Sequence, residues 1–242
     1  MDLEIHNLEK SFGPKKALNS ISLKLNGPGI IGYLGPNGAG KTTTFKIISG
    51  LLRPSGGDVK VNGRSIRENK SLVLSDLSCV IETPVPYPYL TVSEYLFFIG
   101  RLRGMSKEEI STKISSLQSI FRISNMEERC GNLSKGNQQR VVLMAAMIPE
   151  AEIMLLDEPT SGLDPIESMM VIDYLKTLRK KKLILVSSHL LHEVSDLCDD
   201  VVFIDRGNLL TRMSVDEIKE KFSSGKRSGM EEAYVRIIGG KT

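Results

Sequence analysis

A glycine-rich octapeptide near the N-terminus has the residue types that hold phosphate groups. It is GPNGAGKT, Gly35–Thr42, and it fits the pattern G-x-x-x-x-G-K-[ST]. The glycines let backbone N–H groups turn toward phosphate oxygens, the Lys41 ammonium reaches the terminal phosphates, and the Thr42 hydroxyl can bind Mg²⁺. The residues predicted to bind the phosphates of a nucleotide are Gly35, Pro36, Asn37, Gly38, Ala39, Gly40, Lys41, Thr42 and Thr43.

Two adjacent carboxylates, Asp157 and Glu158, end the apolar run IMLLDE. In P-loop enzymes a carboxylate at such a strand end holds Mg²⁺, usually through water. Glu158 comes one residue later and points the other way, so it can face an attacking water as a general base. Alone, the pair would be two solvated acids, but together with the glycine loop it predicts a hydrolytic site.

A histidine, His189, follows the apolar run LILVSS. One histidine after a strand is more often structural than catalytic. However, parallel-sheet enzymes gather their sites at the carboxyl ends of strands, and Gly35, Asp157 and His189 all follow such runs. We therefore include His189 with Glu158 among the candidate catalytic residues.

The elements that must position these residues alternate between strands and helices. GIIGYL, before the glycine loop, is a continuous apolar run that is typical of a fully buried parallel strand. LEIHNL and ISLKL alternate apolar with polar residues, as half-buried strands do, and GDVKVNG indicates a further edge strand. The expected fold is α/β, with a parallel-sheet core and an antiparallel β edge.

Helical patterns interrupt this alternation between about residues 84 and 150. They follow the proline-rich TPVPYPYL, they include a capping-box pair at Ser106 and Glu109, and the last helix must end before Pro149. We predict a helical subdomain inserted into an ATPase domain that covers residues 1–213. The remainder, 214–242, is expected to be a short helical extension with a flexible SSGKRSG segment at 223–229.

Composition limits the classes of protein that fit. The net charge of +3, from 32 basic and 29 acidic residues, is too even to indicate nucleic-acid binding. Cys79, Cys130 and Cys198 are odd in number and widely spaced, which favours a reduced cytosolic protein over a disulfide framework or a zinc site. Because no apolar run is long enough to cross a bilayer, any membrane role is expected to require a partner.

The ordered set of motifs resembles the ATP-binding-cassette (ABC) ATPases, the motor subunits of ABC transporters, over about residues 1–210. GPNGAGKT is similar to the Walker A loop and IMLLDE to Walker B with its catalytic glutamate. SGLD, Ser161–Asp164, is similar to the D-loop, and His189 to the switch histidine. Phe12 lies where the family stacks an aromatic ring on adenine, and LSKGNQ is similar to the signature, which is usually LSGGQ.

The resemblance implies a pair of cassettes, packed head to tail with ATP and Mg²⁺ between them. Ser134, Gly136 and Asn137 in the signature of one cassette would face the γ-phosphate held by the other. Ser134 offers a hydroxyl, Gly136 lets the backbone approach, and the helix dipole favours an anion. The implied partners are a second ABC ATPase, identical or different, and integral membrane permease subunits on whose cytoplasmic side the protein would lie.

The sequence departs from the usual family pattern in two places. Lys135 and Asn137 replace the glycine and the glutamine of the signature, and Glu82 stands where the family has a glutamine that binds Mg²⁺ and water. A carboxylate is also a Mg²⁺ ligand, so the expected metal ligands are Thr42, Glu82 and Asp157. The LSKG and IETP variants resemble the branch that serves bacterial drug and antibiotic-peptide efflux.

Two other classes of ABC ATPase remain as alternatives. Soluble members that act on translation or DNA resemble two cassettes in one chain, or one cassette split by a long coiled coil, whereas this chain has one uninterrupted cassette. A regulatory module that binds ATP without hydrolysing it is disfavoured by the intact Lys41, Asp157, Glu158 and His189.

Overall fold

The computed structural model describes residues 1–82, 84–222 and 228–240. Its strands are β1 (Asp2–Phe12), β2 (Lys15–Asn26), β3 (Gly29–Leu34), β4 (Gly56–Val61), β5 (Arg64–Ser65), β6 (Leu77–Val80), β7 (Ile153–Asp157), β8 (Leu183–Ser187), β9 (Asp200–Asp205) and β10 (Asn208–Ser214). Its α-helices are α1 (Lys41–Ile48), α2 (Lys70–Ser75), α3 (Val92–Leu102), α4 (Lys107–Phe121), α5 (Lys135–Met147), α6 (Pro165–Leu178), α7 (Leu191–Leu197), α8 (Val215–Phe222) and α9 (Gly229–Tyr234). Most of the predicted flexible segment, 223–227, lies outside the described residues.

The predicted parallel core is a six-stranded sheet in the order β10-β9-β3-β8-β7-β6. Its strands are parallel except for β10, which pairs antiparallel with β9. Strands β3, β7 and β8 are buried along their whole lengths, because both faces of the sheet are covered. Their carboxyl ends bring Leu34, Asp157 and Ser187 to one edge.

Alternate residues of the central strands enter two separate cores. Ile31, Tyr33 and Leu155 face α1 and the antiparallel sheet, together with Leu185 and Val202. The residues between them face the helices on the other side, and examples are Ile30, Leu34, Met154, Leu156, Ile184 and Phe203. Because successive side chains of a strand point to opposite faces, each of these strands packs against one core on each face of the sheet.

The predicted antiparallel edge is a sheet of its own, in the order β2-β1-β4-β5. Its strands alternate buried and exposed residues, because only one face lies against the core. β1 and β2 form its longest pair and bring Phe12 opposite Lys15. This sheet therefore carries the candidate adenine-stacking residue to the side of the parallel core.

Helices α3, α4 and α5 lie in the chain between β6 and β7, where the helical patterns were predicted. The capping box of α4 pairs Ser106 with Glu109, and α3 has another that pairs Thr91 with Glu94. The sequence did not indicate α2, and β10 continues to Ser214, one residue beyond the predicted domain boundary. The longest described helix, α4, has 15 residues. Among the described residues, no helix has both the length and the apolar character of a membrane span.

Candidate active site

The glycine loop joins β3 to α1 at the carboxyl edge of the parallel sheet. Gly40 has a φ of +112°, and a Cβ there would lie 2.9 Å from the carbonyl oxygen of Ala17, so the turn requires glycine. Lys41 Nζ donates hydrogen bonds to the carbonyl oxygens of Gly35 at 2.7 Å and Pro36 at 3.2 Å. The lysine therefore folds back along the loop and places its ammonium group inside the turn.

A cavity of about 630 Å³ opens beside this loop and collects most of the predicted site. The predicted residues that line it are Phe12, Asn37, Gly38, Gly40, Lys41, Thr42, Thr43, Glu82, Asp157 and Glu158. Gly35, Pro36 and Ala39 belong to the same loop but do not line the cavity. Four lining residues were not among the predicted binding residues: Lys15, Ala17, Gln139 and Ser161, although Ser161 begins the D-loop motif SGLD. The closeness of Lys15 to Phe12 in sequence is the one signal that could have found it.

Burial and two nearby carboxylates act in opposite directions on the pKa of Lys41. Lys41 is 7% exposed, and burial lowers its pKa, whereas the charges of Glu158 and Asp157 raise it to a smaller extent. A polyphosphate in this cavity would add negative charge beside the lysine and favour its charged form. An anion that enters the loop would therefore stabilise the charged form of Lys41.

Asp157 is a buried carboxylate that accepts hydrogen bonds from three donors. It is 4% exposed, and its Oδ2 accepts hydrogen bonds from the Thr42 hydroxyl at 2.8 Å and the Glu82 backbone N–H at 3.4 Å. Its Oδ1 accepts a short hydrogen bond from the Ser187 hydroxyl. Ser187 was not predicted, although it is paired with Asp157 where β7 and β8 end. The hydroxyl of Thr42 and the carboxylate of Asp157 are hard oxygen ligands, which suit Mg²⁺.

Glu158 turns away from Asp157 and toward His189. Glu158 has a φ of +50°, and its Oε2 lies 2.7 Å from His189 Nδ1 and 3.4 Å from the His189 backbone nitrogen. An imidazole that carries a proton on Nδ1 can donate this hydrogen bond to the carboxylate. The structure thus brings together the two residues that were predicted to act in catalysis.

Glu82 lies two residues beyond the end of β6 and does not face Asp157 with its carboxylate. Its Oε1 meets Lys46 Nζ at 2.6 Å, and only its backbone N–H reaches Asp157. The described part of the chain has no cluster of three His, Cys, Asp or Glu residues that could hold a metal. Mg²⁺ in nucleotide enzymes commonly has one or two protein carboxylates and completes its shell with phosphate and water, so this arrangement fits it.

The signature residues Ser134, Gly136 and Asn137 lie at the start of α5 and do not line this cavity, although Gln139 of the same helix does. Ser134 caps the helix by accepting a hydrogen bond from the Asn137 N–H at 3.2 Å. The side-chain oxygen of Asn137 accepts a short hydrogen bond from Arg140, which also pairs with Glu167 of α6 at 3.0 Å. A Cβ on Gly136 would lie 3.4 Å from the carbonyl oxygen of Gly162 and 3.5 Å from Glu167 Oε2. The helix start is therefore fixed to the segment that leads into α6.

Phe12 lies at the mouth of the cavity, with about half of its surface exposed. Lys10 Nζ is 4.9 Å from the centre of the ring, within the range of a cation–π contact. The aromatic ring predicted to stack on adenine is thus held near the cavity by a residue of its own strand.

Comparison with known proteins agrees with this geometry. A family profile described as ABC transporter matches residues 18–161, more than half of the chain. The bacitracin transport ATP-binding protein BcrA of Bacillus licheniformis is 31% identical over 217 residues, which cover 89% of this chain and 70% of that protein.

Two solved structures have the same fold. The ATP binding subunit of an ABC transporter is 28% identical with a TM-score of 0.89, and the match covers 98% of this chain and 99% of that one. A dimeric ATP-binding cassette in a post-hydrolysis state, bound to ADP and Pi, is 22% identical with a TM-score of 0.80, and the match covers 88% and 98%. With the profile match and the assembled P-loop site, these likenesses show that the chain belongs to the ABC transporter family, as an ATP-binding subunit that hydrolyses ATP.

Proposed function

We propose that this ATPase works as a Mg²⁺-dependent dimer that drives a substrate out of the cell through separate membrane subunits. One observation carries the dimer: among the described residues, the wall of the P-loop cavity does not include Ser134, Gly136 or Asn137. A capped helix start with a glycine is suited to phosphate, and in this proposal the phosphate belongs to ATP on a second cassette. The fold shared with a dimeric cassette supports the same arrangement.

In this proposal the residues of one chain bind the phosphates and activate water. Lys41 and the loop N–H groups bind the terminal phosphates, and Glu158 takes a proton from the attacking water. His189, through Nδ1, holds the Glu158 carboxylate in place. Thr42 and Asp157 would hold Mg²⁺, which neutralises phosphate charge when bound, and the Glu82 carboxylate would join them by exchanging its ion pair with Lys46 for the metal.

An exposed aromatic surface, formed by Tyr87 and Tyr89, lies close to Glu82 in the sequence. It supports the proposal that the partner is a membrane subunit. Tyr87 and Tyr89 are 44% and 67% exposed and stack on each other with centroids 5.8 Å apart. Tyr87 also meets Tyr95 and Phe98 edge-on. Exposed aromatic anchors are enriched in protein interfaces, and this pair begins five residues after Glu82, which lines the cavity.

Similarity to BcrA, whose name states bacitracin transport, supports the proposed direction of transport. The LSKG and IETP variants point to the same efflux branch. We therefore propose export, with the subunit held at the cytoplasmic face of the membrane by its permease.

The partner can be identified directly. The full chain, tagged at one end, is expected to be captured from detergent-solubilised membranes together with a multi-helix membrane protein that stimulates its ATPase rate. Capture with ribosomes or DNA instead would favour the non-transport class and contradict the proposal. The control is the same capture with the tag alone.

The double variant Tyr87→Ala, Tyr89→Ala is expected to weaken binding to the membrane subunit by at least about tenfold, or ~1.4 kcal/mol. Both side chains are exposed, so the ATPase rate of the free subunit is expected to stay within about twofold of wild type. The measurement is the affinity of the purified subunit for the permease in detergent.

The matched control for this pair is Val235→Ala, an exposed apolar residue of the C-terminal extension. It is expected to leave permease binding unchanged. If the tyrosine variant binds as tightly as wild type does, the aromatic surface is not the docking site.

Glu82→Gln is expected to change the ATPase rate of the free subunit by less than about tenfold, or ~1.4 kcal/mol in barrier. The amide oxygen can still bind Mg²⁺, although the charge that pairs with Lys46 is lost. Glu82→Ala removes the ligand and is expected to lower permease-stimulated turnover more than basal turnover. Both rates are measured across a Mg²⁺ titration with the assembled transporter.

Lys46→Met is the matched control, because it breaks the same ion pair and leaves the Glu82 carboxylate in place. It is expected to leave the Mg²⁺ requirement close to that of wild type. Equal losses of basal and stimulated turnover in Glu82→Ala would mean that Glu82 serves only the chemistry. An Ala variant that loses neither rate would remove Glu82 from the site.

A further inference from the structure

The first turn of α7 contains a buried carboxylate that the hydrolysis chemistry above does not use. Glu193 is 7% exposed, and its Oε2 accepts hydrogen bonds from the Thr160 hydroxyl at 2.7 Å and from the Ser188 hydroxyl at 3.3 Å. Thr160 and Ser188 are themselves buried. One carboxylate oxygen thus joins two segments that are far apart in sequence.

This use of Glu193 differs from that of the equivalent glutamate in other helices. Third-position glutamates of five helices bond back to the backbone N–H that precedes their own helix, and these are Glu94, Glu109, Glu167, Glu217 and Glu231. In α7 the N–H of Leu190, at the cap, instead donates to the Ser188 hydroxyl at 3.0 Å. The carboxylate of Glu193 therefore does not cap its own helix and makes a tertiary contact instead.

The two segments joined by Glu193 carry the catalytic pair. The ladder between β7 and β8 ends where Asp157 pairs with Ser187, and just beyond it the Glu158 N–H still donates to the Ser187 carbonyl oxygen at 3.0 Å. Thr160 follows Glu158 by two residues, and Ser188 directly precedes His189. The His189 side chain is 61% exposed, so its position depends on its loop and on its contact with Glu158.

Resting on the proposed function, we propose that Glu193 is a positioning residue for ATP hydrolysis. By tying Thr160 to Ser188 beyond the end of the ladder, it sets the separation between Glu158 and His189 before ATP arrives. Glu193 does not line the P-loop cavity, so it would act through these two loops. Loss of the tie is expected to disturb turnover and leave ATP binding to the P-loop intact.

Glu193→Ala and Thr160→Val are each expected to lower kcat about tenfold, with the KM for ATP within about twofold of wild type. Because both remove the same contact, the double variant is expected to lose no more than either single one. Thr160→Ser and Glu193→Gln keep a hydroxyl donor and an oxygen acceptor, respectively, and are expected to retain most of the turnover. Thr160→Val keeps the side-chain shape, so it remains informative if Glu193→Ala does not fold.

The imidazole NMR signals of the nucleotide-free chain provide a readout that is independent of turnover. The chain has three histidines, and the His189 signal can be assigned from a His189→Asn variant. In Glu193→Ala and Thr160→Val, this signal is expected to shift toward its position in Glu158→Gln, where the contact with the Glu158 carboxylate is lost. Because this measurement needs neither ATP nor a partner, it separates failure of the tie from failure of the proposed dimeric function.

Glu109→Ala is the matched control, since Glu109 is also a third-position glutamate but caps its own helix in the helical subdomain. It is expected to lower the melting temperature without changing kcat or the His189 signal. A wild-type His189 signal in both folded tie variants would overturn the proposal, whatever their turnover. Losses of kcat that add in the double variant would overturn it as well.

Discussion

Glu158→Gln is expected to bind ATP and accumulate as an ATP-bound dimer, with turnover at least about a hundredfold below that of wild type. The amide keeps the volume of the side chain that lines the cavity and contacts His189, but it cannot accept a proton from water. Lys41 and Thr42, which are proposed to bind the phosphates and Mg²⁺, are untouched. The measurements are the ATPase rate, and size-exclusion chromatography in saturating Mg-ATP with the bound nucleotide quantified.

Glu152→Gln is a matched control for this variant, because Glu152 is an exposed acid that precedes β7 at its opposite end. It is expected to turn over ATP at the wild-type rate and to show no trapped dimer. Wild type with ADP is expected to elute as a monomer. If Glu158→Gln elutes as a monomer with ATP bound, the shared-site arrangement is wrong for the free subunit.

Two inactive variants, Lys41→Met and Gly136→Asp, are expected to regain activity when they are mixed. Lys41→Met removes the phosphate-binding ammonium, and Gly136→Asp places a carboxylate beside Glu167 at the helix start that is proposed to face phosphate. Each alone is expected to lose at least about a hundredfold in turnover, because both sites of its dimer are defective. In a mixed dimer, one site combines the intact P-loop with the intact signature.

An equal mixture is expected to recover up to about one quarter of wild-type turnover, since half of the dimers are mixed and each has one intact site of two. The control mixture is Lys41→Met with Glu158→Gln. These two residues belong to the same half of a site, so no mixed dimer contains an intact one and no recovery is expected. A Lys41→Met and Gly136→Asp mixture that stays at background would reject the proposal that two copies of this chain share each site.

Much of the fold followed from local patterns along the chain. GIIGYL, IMLLDE and LILVSS are short apolar runs without alternation, and they form the buried strands β3, β7 and β8 because helices and a second sheet cover both faces. The helical block was predictable from its period and from the cap at Ser106. The short α2 was not predicted, because six residues give too little periodicity to recognise.

Individual contacts in the site were harder to predict. Asp157 could be assigned to the nucleotide site from its place at the end of a strand, but its hydrogen bond to Ser187 could be predicted only from the pairing of β7 with β8. Glu82 could be identified as a departure from the family pattern, whereas its ion pair with Lys46 could not. Such contacts depend on which neighbouring element lies within reach of a side chain.

The sequence by itself determined the chemistry of this protein: a phosphate-binding loop, a carboxylate pair, a histidine and a signature in one order. These features are local, since each is set by residue types at fixed spacing on one strand or loop. Only the tertiary structure decided the pairs, such as Thr42 with Asp157 across 115 residues and Thr160 with Ser188 through Glu193. The physical reason is that strand order and packing choose which loop ends meet, and the spacing of residues along a single segment carries no record of that choice.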